Sequence, residues 1–473
     1  QTFDASAYTG NKLTANLTAN YSVQNIKGSA QDDVFNVTGI DGNTAIIPVD
    51  GGAGRDTVNL QNVIYGNKHV EMTGVEELNI KQDSSANAAT LDFSRAQEID
   101  TLGVRGDAGQ NPYVKAINSK LKTLNVDVNT TVTNWTRLEV TNTPNFENLN
   151  IKNSISTTLK ANGSTKINVN VDTENRITDV GIDSTTIKEL NYNVEKADNA
   201  STVGIAMFIH NAGTLEKVNI VNKTTKKFIH GLTTADTSNL KILNIETKGD
   251  YITSAPIKGL SLINLKGTGE NTNVTLAQVG TTTDGRYPLQ GTQDITLNAQ
   301  NLKTLSVAAS DKIVTTRNVS LTSITDKEGA TVTYGQIGDS DTAKANDVSI
   351  NATGQKTLTA GNIYANGDVN LTTKFTQEGS SAIYAKETVS TDTSVTGGIN
   401  ARNFSLNHSA NSDITDGIIR TNGNLDATGN LTVNASGYKE LKMSVTPVTA
   451  FSPITDWEKI NVGGDAKFNT TAT

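Results

Sequence analysis

A six-residue pattern, apolar, two polar positions, apolar, Asn, apolar, recurs along this chain and limits what it can become. It stands at Val75/Leu78/Asn79/Ile80, Leu121/Leu124/Asn125/Val126, Phe146/Leu149/Asn150/Ile151 and Ile187/Leu190/Asn191/Tyr192. It returns at Leu215/Val218/Asn219/Ile220, Leu240/Leu243/Asn244/Ile245, Leu260/Ile263/Asn264/Leu265 and Trp457/Ile460/Asn461/Val462. At this composition chance supplies about one such match. The closing apolar–Asn–apolar triplet alternates with period two, which places the apolar pair on one face of a strand and the Asn on the other. Strands this short cannot bury an apolar face alone, so they must stack coil upon coil around a shared core. An all-β fold is therefore expected, an irregular β-solenoid of parallel β-helix-like coils with bulges and insertions.

Looser copies without Asn lie at Ile99/Leu102/Val104, Trp135/Leu138/Val140 and Leu302/Leu305/Val307. The Asn side chains suit two roles, a ladder of amides between coils or a tolerated polar face. Ala86 to Leu102, with Leu91, Phe93, Ala96 and Ile99, is compatible with a short helix, and Val203 to Ile209 reads as a short core strand. After about residue 270 the motif thins, and Asp294–Ala299, Asp347–Ala352, Asp368–Thr372 and Asn403–Asn407 read as isolated alternating strands.

Composition narrows the chemistry. Among 473 residues there is no Cys, which excludes disulfides, thiol catalysis and Cys-ligated metal centres. A net charge of −8 with interspersed signs argues against a nucleic-acid groove, and Lys223, Lys226 and Lys227 read as a solvated loop. No apolar stretch approaches the roughly 18 residues that cross a bilayer, so no transmembrane segment is expected. The residues after Gln1 carry neither a basic nor an apolar signal-peptide region, as expected of a mature form or a fragment.

The sharpest local signal is Gly51-Gly52-Ala53-Gly54-Arg55-Asp56-Thr57-Val58-Asn59, which fills every fixed position of the calcium nonapeptide G-G-x-G-x-D-x-U-x. Its glycines turn the chain tightly, its Asp supplies a hard anionic ligand, and its apolar eighth position anchors the next strand. A weaker copy, Gly28 to Asn36, places Asp33 and Phe35 at the corresponding positions. Two stacked turns are expected to share one calcium ion between Asp33 and Asp56, assisted by Asp32, Asp50 and the turn at Gly52 and Gly54. The competing reading is a pair of Gly/Asp-rich turns that need no metal. Gly338-Asp339-Ser340-Asp341 and Asp413-Ile414-Thr415-Asp416-Gly417 lack the full spacing and read as solvated turns.

These turns, followed by Val75-Glu76-Glu77-Leu78-Asn79-Ile80, resemble Gram-negative surface-layer (S-layer) proteins with RTX-type calcium repeats, closely over residues 20 to 80 and by composition elsewhere. The resemblance implies an RTX-like calcium β-roll region near the N-terminus and Ca2+-dependent folding. It also implies secretion without a cleaved N-terminal signal and self-assembly into an extracellular lattice on the bacterial cell surface. Such a lattice would be held to a surface glycan or lipopolysaccharide through an anchoring region not recognisable in this chain. The chain differs from the family in carrying one full nonapeptide rather than a long array. The expected organisation is a calcium-binding region over 1–66, a repetitive solenoid over 67–270 and a second β-rich segment over 271–473.

Enzyme signatures are mostly missing. There is no His-Glu-x-x-His, Gly-x-Ser-x-Gly or phosphate-binding loop, and His69, His210, His230 and His408 are widely separated and read as surface or strand residues. A non-enzymatic, self-associating structural protein is the leading expectation. A monomeric β-solenoid adhesin or passenger domain and a parallel β-helix polysaccharide lyase are the alternatives.

Overall fold

Alternation of apolar and polar residues over five to eight positions marks most of the longer strands. The structure is a computed structural model. It describes all residues except 19–22, 40–45, 85, 108, 129–134, 175–176, 178, 198–204, 233–238, 254–256, 258, 277–278, 280–292, 340–342, 376–380, 384–397, 411–415, 422–423, 437–439, 446–459, 463 and 472–473. The fold is all-β, a solenoid of stacked parallel strands. Among the described residues there is no helix, and so none long and apolar enough to cross a membrane. The chain divides into two compact units, Gln1–Asp236 and Thr237–Thr473.

In the first unit each coil contributes one strand to each of two facing sheets. One sheet runs through Lys12–Thr18, Asp32–Thr38, Thr57–Val63, Glu77–Lys81, Thr101–Gly106, Thr123–Val128, Asn148–Asn153, Lys166–Thr173, Glu189–Ala197 and Lys217–Asn222. Its inward positions line up as a single buried column: Phe35, Val58, Leu78, Leu102, Leu124, Leu149, Val169, Tyr192 and Ile220. Burying each such side chain contributes about 1.5–3 kcal/mol relative to leaving it in water. No coil can collect that contribution without its neighbours. The facing sheet closes the core from the other side, where Val114, Leu138, Leu159, Ile182 and Ile209 form the matching column.

The outward positions of the first sheet carry the recurring Asn, and their amides bond from coil to coil. Asn36, Asn59 and Asn79 each donate through Nδ2 to the Oδ1 of the Asn one coil earlier, at 2.8–2.9 Å. Asn150, Asn170 and Asn193 do the same at 2.9–3.0 Å. Asn168, Asn191 and Asn219 form a second ladder rising from Asn148, at 2.6–2.9 Å. The motif Asn residues therefore occupy two columns offset by two residues, not one. The strand Lys166–Thr173 links them, because its Asn168 and Asn170 sit against Asn148 and Asn150.

Three sequence expectations change here. Ala86–Leu102 holds no helix: Ala89–Arg95 is a strand whose Ala89, Leu91 and Phe93 alternate inward. Its backbone pairs with Gly66–Thr73 on one side and Tyr113–Ile117 on the other, and that pairing overrides the helical spacing. The looser copies at Trp135–Thr141, in the first unit, and Thr304–Ile313, in the second, each lie in the sheet opposite that unit's Asn ladder, which explains their missing Asn. The copy at Ile460–Val462 likewise pairs with Leu425–Ala427 in the facing sheet; its Trp457 lies outside the described residues. The expected core strand is present as Ile205–His210.

In the second unit the ladder column contains Asn244, Asn264, Asn298, Thr322, Asn351, Thr372, Asn407, Asn434 and Asn469. The four segments read as isolated after residue 270 are successive rungs of this one sheet, and Leu262–Gly267 pairs directly with Ile295–Gln300. From Thr357 onward each coil places two short strands opposite the ladder sheet, beginning with Thr357–Ala360 and Ile363–Tyr364, so the coil becomes three-sided.

Truncating the middle of the first-unit core, Leu124→Ala, should cost about 2–5 kcal/mol. Asn150→Ala, which removes the amide shared by two rungs, should cost about 1–2 kcal/mol. Urea unfolding followed by circular dichroism measures both, and amide exchange should report the greatest loss of protection in the adjoining coils.

Candidate metal-binding corner

The corner where each coil enters the ladder sheet of the first unit gathers acids. Backbone hydrogen bonds stack the residues preceding successive strands: Glu76 N–H donates to the Asp56 carbonyl, Asp100 N–H to that of Glu76, and Lys122 N–H to that of Asp100. Asp33 precedes Asp56 in the same column, so four consecutive coils present a carboxylate there before Lys122 reverses the sign. Asp33 and Asp56 are fully buried.

The nonapeptide turn is built by close approach. Gly52 and Gly54 have φ of +96° and +109°. A Cβ on Gly52 would lie 1.9 Å from the Ser29 carbonyl oxygen, and one on Gly54 would lie 2.7 Å from that of Gln31. Only glycine satisfies both the backbone angle and the contact with the turn beneath. The two turns stack, as the paired motifs predict.

Each expected ligand has a definite place. Asp33 accepts at both oxygens from Ser29, from its N–H at 2.6 Å and its Oγ at 3.0 Å. Asp56 Oδ1 accepts from the Asp33 N–H at 2.7 Å, and the Asp56 N–H donates to Glu76 Oε2 at 2.7 Å. Asp32 is exposed and accepts from the Arg55 N–H at 2.9 Å. Asp50 ends a two-residue strand of the facing sheet, and its carboxylate accepts from Thr73 Oγ1 at 3.4 Å. Arg55, half exposed, reaches two coils along the stack to grip both oxygens of Asp100 at 3.0 and 3.2 Å. That fork holds the Asp100 carboxyl below its ordinary range.

Asp56 Oδ2 is different: it is buried and, among the described residues, has no hydrogen-bond partner. Burial, reinforced by the charges of Asp33, Glu76 and Asp32, pushes the Asp56 carboxyl up to about 7 from an ordinary 3.8; the Asp33 N–H works in the opposite direction. A buried carboxylate oxygen crowded by like charges has the chemistry that a hard cation relieves. The donor types at Asp56, Asp33 and Glu76 fit calcium in this sense. They are strung along the column, however, and among the described residues no three acidic or His side chains converge on one point. A cation would have to draw Asp33 or Glu76 away from its backbone partner.

Glu76 and Ser29 are not evident from the nonapeptide, because they lie outside the full motif or at its degenerate copy. The second unit repeats the corner with Asx residues: Asp294, Asn318, Asp347, Asn403 and Asn430 each accept through Oδ1 from a backbone N–H of the following coil, at 2.8–3.2 Å. The common sequence signal, Asp or Asn just before an apolar strand start, is short and easily overlooked. Ser340, Asp341 and residues 413–415 of the weaker acidic turns lie outside the described residues. His69, His210, His230 and His408 all fall on strands and in different coils.

No family model, characterised protein or solved structure matches this chain.

In calcium-free solution the folded corner keeps a proton on Asp56 that the unfolded chain has already released between about pH 4 and 7. This group's contribution to stability is therefore most favourable at low pH and falls as pH rises through 7. Asp56→Asn keeps an acceptor for the Asp33 N–H and removes the buried charge. Thermal melts in EGTA from pH 5 to 8 should show that the substitution flattens this part of the pH profile and removes the stabilising response to added calcium.

Proposed function

We propose that the chain is a structural protein of a bacterial surface layer, exported and assembled with copies of itself into a two-dimensional, calcium-dependent lattice. The observation that carries this reading is the acidic corner inside a solenoid: stacked turns with a full nonapeptide, and a buried Asp56 oxygen that lacks a partner. Calcium supplies positive charge to that corner, and Asp56, Asp33 and Glu76 are the residues that would hold it. Neutralising the acids tightens the stacking of the first coils.

The exterior suits association. Trp135, 62% exposed, and Phe208, 39% exposed, project from the facing sheet of the first unit. Large aromatics on an otherwise polar strand surface are the kind of residue that interfaces bury. The lattice is anchored to a surface glycan or lipopolysaccharide, and the chain acts as a structural element, not an enzyme.

Dialysis of metal-free protein into millimolar calcium should yield ordered sheets in negative-stain micrographs. Trp135→Ser should leave the circular dichroism of the monomer unchanged and impair sheet order. Monodisperse monomers at all calcium concentrations contradict the lattice and favour a monomeric adhesin.

A further inference from the structure

The ladder of the first unit has a break. Where the column calls for Asn, the strand Thr101–Gly106 carries Gly103, between Asn79 and Asn125. Asn125 Oδ1 accepts from Asn150 and Asn79 Nδ2 donates to Asn59 and to Glu77; among the described residues nothing accepts from Asn125 Nδ2 or donates to Asn79 Oδ1. An open acceptor and an open donor thus face the gap. Two residues along the same strand, on the same outward face, stands Arg105, whose Nε and Nη2 are buried and, among the described residues, without a hydrogen-bond partner. Those atoms form one edge of the guanidinium, the fork that matches a carboxylate bidentately. Leaving such donors unpaired is costly, and the long side chain can turn its edge to a ligand.

These groups line a groove of about 560 Å³ that continues along the ladder to Asn150 and Asn170. Bulges at Val126/Asp127 and Val171/Asp172 interrupt the regular register where Asp127 and Asp172 border it. Lys152 also lines the groove. Two cations and two carboxylates suit a ligand whose negative charges are spread along a hydroxyl-rich chain, since the acids can accept from its hydroxyls; the dense charge of a polyphosphate offers them no donors. The amides repeat at the coil spacing of about 4.8 Å, close to the length of one pyranose unit.

We infer that this groove is a binding site for an oligosaccharide bearing carboxylates, with Arg105 taking a sugar carboxylate and Asn79 and Asn125 reading hydroxyls across the Gly103 gap. The inference does not depend on lattice assembly or on calcium.

Isothermal titration of the full chain with trigalacturonate tests it, alongside cellotriose and inorganic phosphate as controls. The wild-type chain should bind trigalacturonate, and both controls should bind more weakly. Arg105→Gln should weaken binding roughly ten- to a hundredfold. Gly103→Asn should restore the missing rung and abolish binding. A Cβ there meets only the flexible end of Asn79, 1.8 Å from Oδ1, which can move aside. Its thermal midpoint, expected to equal or exceed that of the wild type, shows whether the variant is folded; if it is not, Arg105→Gln decides. Failure of trigalacturonate to bind, equal binding of either control, or undiminished binding by Arg105→Gln overturns the assignment.

Discussion

Each coil of this protein must meet the next in parallel register, because neither its apolar residues nor its polar backbone can be satisfied within one coil. The inward column from Phe35 to Ile220 exists only as a stack, and the paired strands share every ladder hydrogen bond with a neighbour. A chain poor in large apolar residues can fold this way because one narrow core serves many coils. The Asn amides add a second coupling on the outside, where the same side chain donates to the coil before it and accepts from the coil after it. Core and ladder therefore select the same register, and that agreement between levels is what specifies a single structure.

The corner shows what happens when stacking imposes proximity on charges. Asp33, Asp56, Glu76 and Asp100 are stacked in one column because each stands at the start of, or just before, a strand that must pair with the last. Arg55 balances Asp100 at the surface, while Asp56, in the interior, has a carboxyl raised to about 7 by burial and the neighbouring acids. In the second unit, Asn at positions such as 318, 403 and 430 provides the same acceptor geometry without accumulating charge. The two units thus solve one backbone problem with different chemistry: consecutive acids accumulate charge in the first, while in the second Asn alternates with Asp and Arg402 pairs with Asp368.

Much of this was legible in the residues. Period-two alternation around Asn foretold strands and coils, and the nonapeptide foretold that Asp33 and Asp56 occupy stacked turns. What the pattern could not convey is register. The motif fixes Asn150 relative to Leu149 and Ile151 but is silent about the next coil, so the two-residue offset between ladders emerges only when Lys166–Thr173 is placed. The same limit hid the role of Gly103: its strand was recognisable as a copy lacking Asn, but not as a gap flanked by half-paired amides and Arg105. Likewise Ala86–Leu102 has helical spacing, and only the strands on either side reveal why it is extended.

Disulfide trapping tests coil register most directly, since the chain contains no Cys to interfere. In the double variant Asn150→Cys/Asn170→Cys the two side chains are direct neighbours on adjacent strands, within the reach of a disulfide. Mild oxidation should close an intramolecular bridge in that pair and not in Asn150→Cys/Asn168→Cys, whose second residue lies two positions out of register. Equal cross-linking of the two pairs, or preference for the second, would contradict the stacked arrangement on which the core, the ladders and the groove depend.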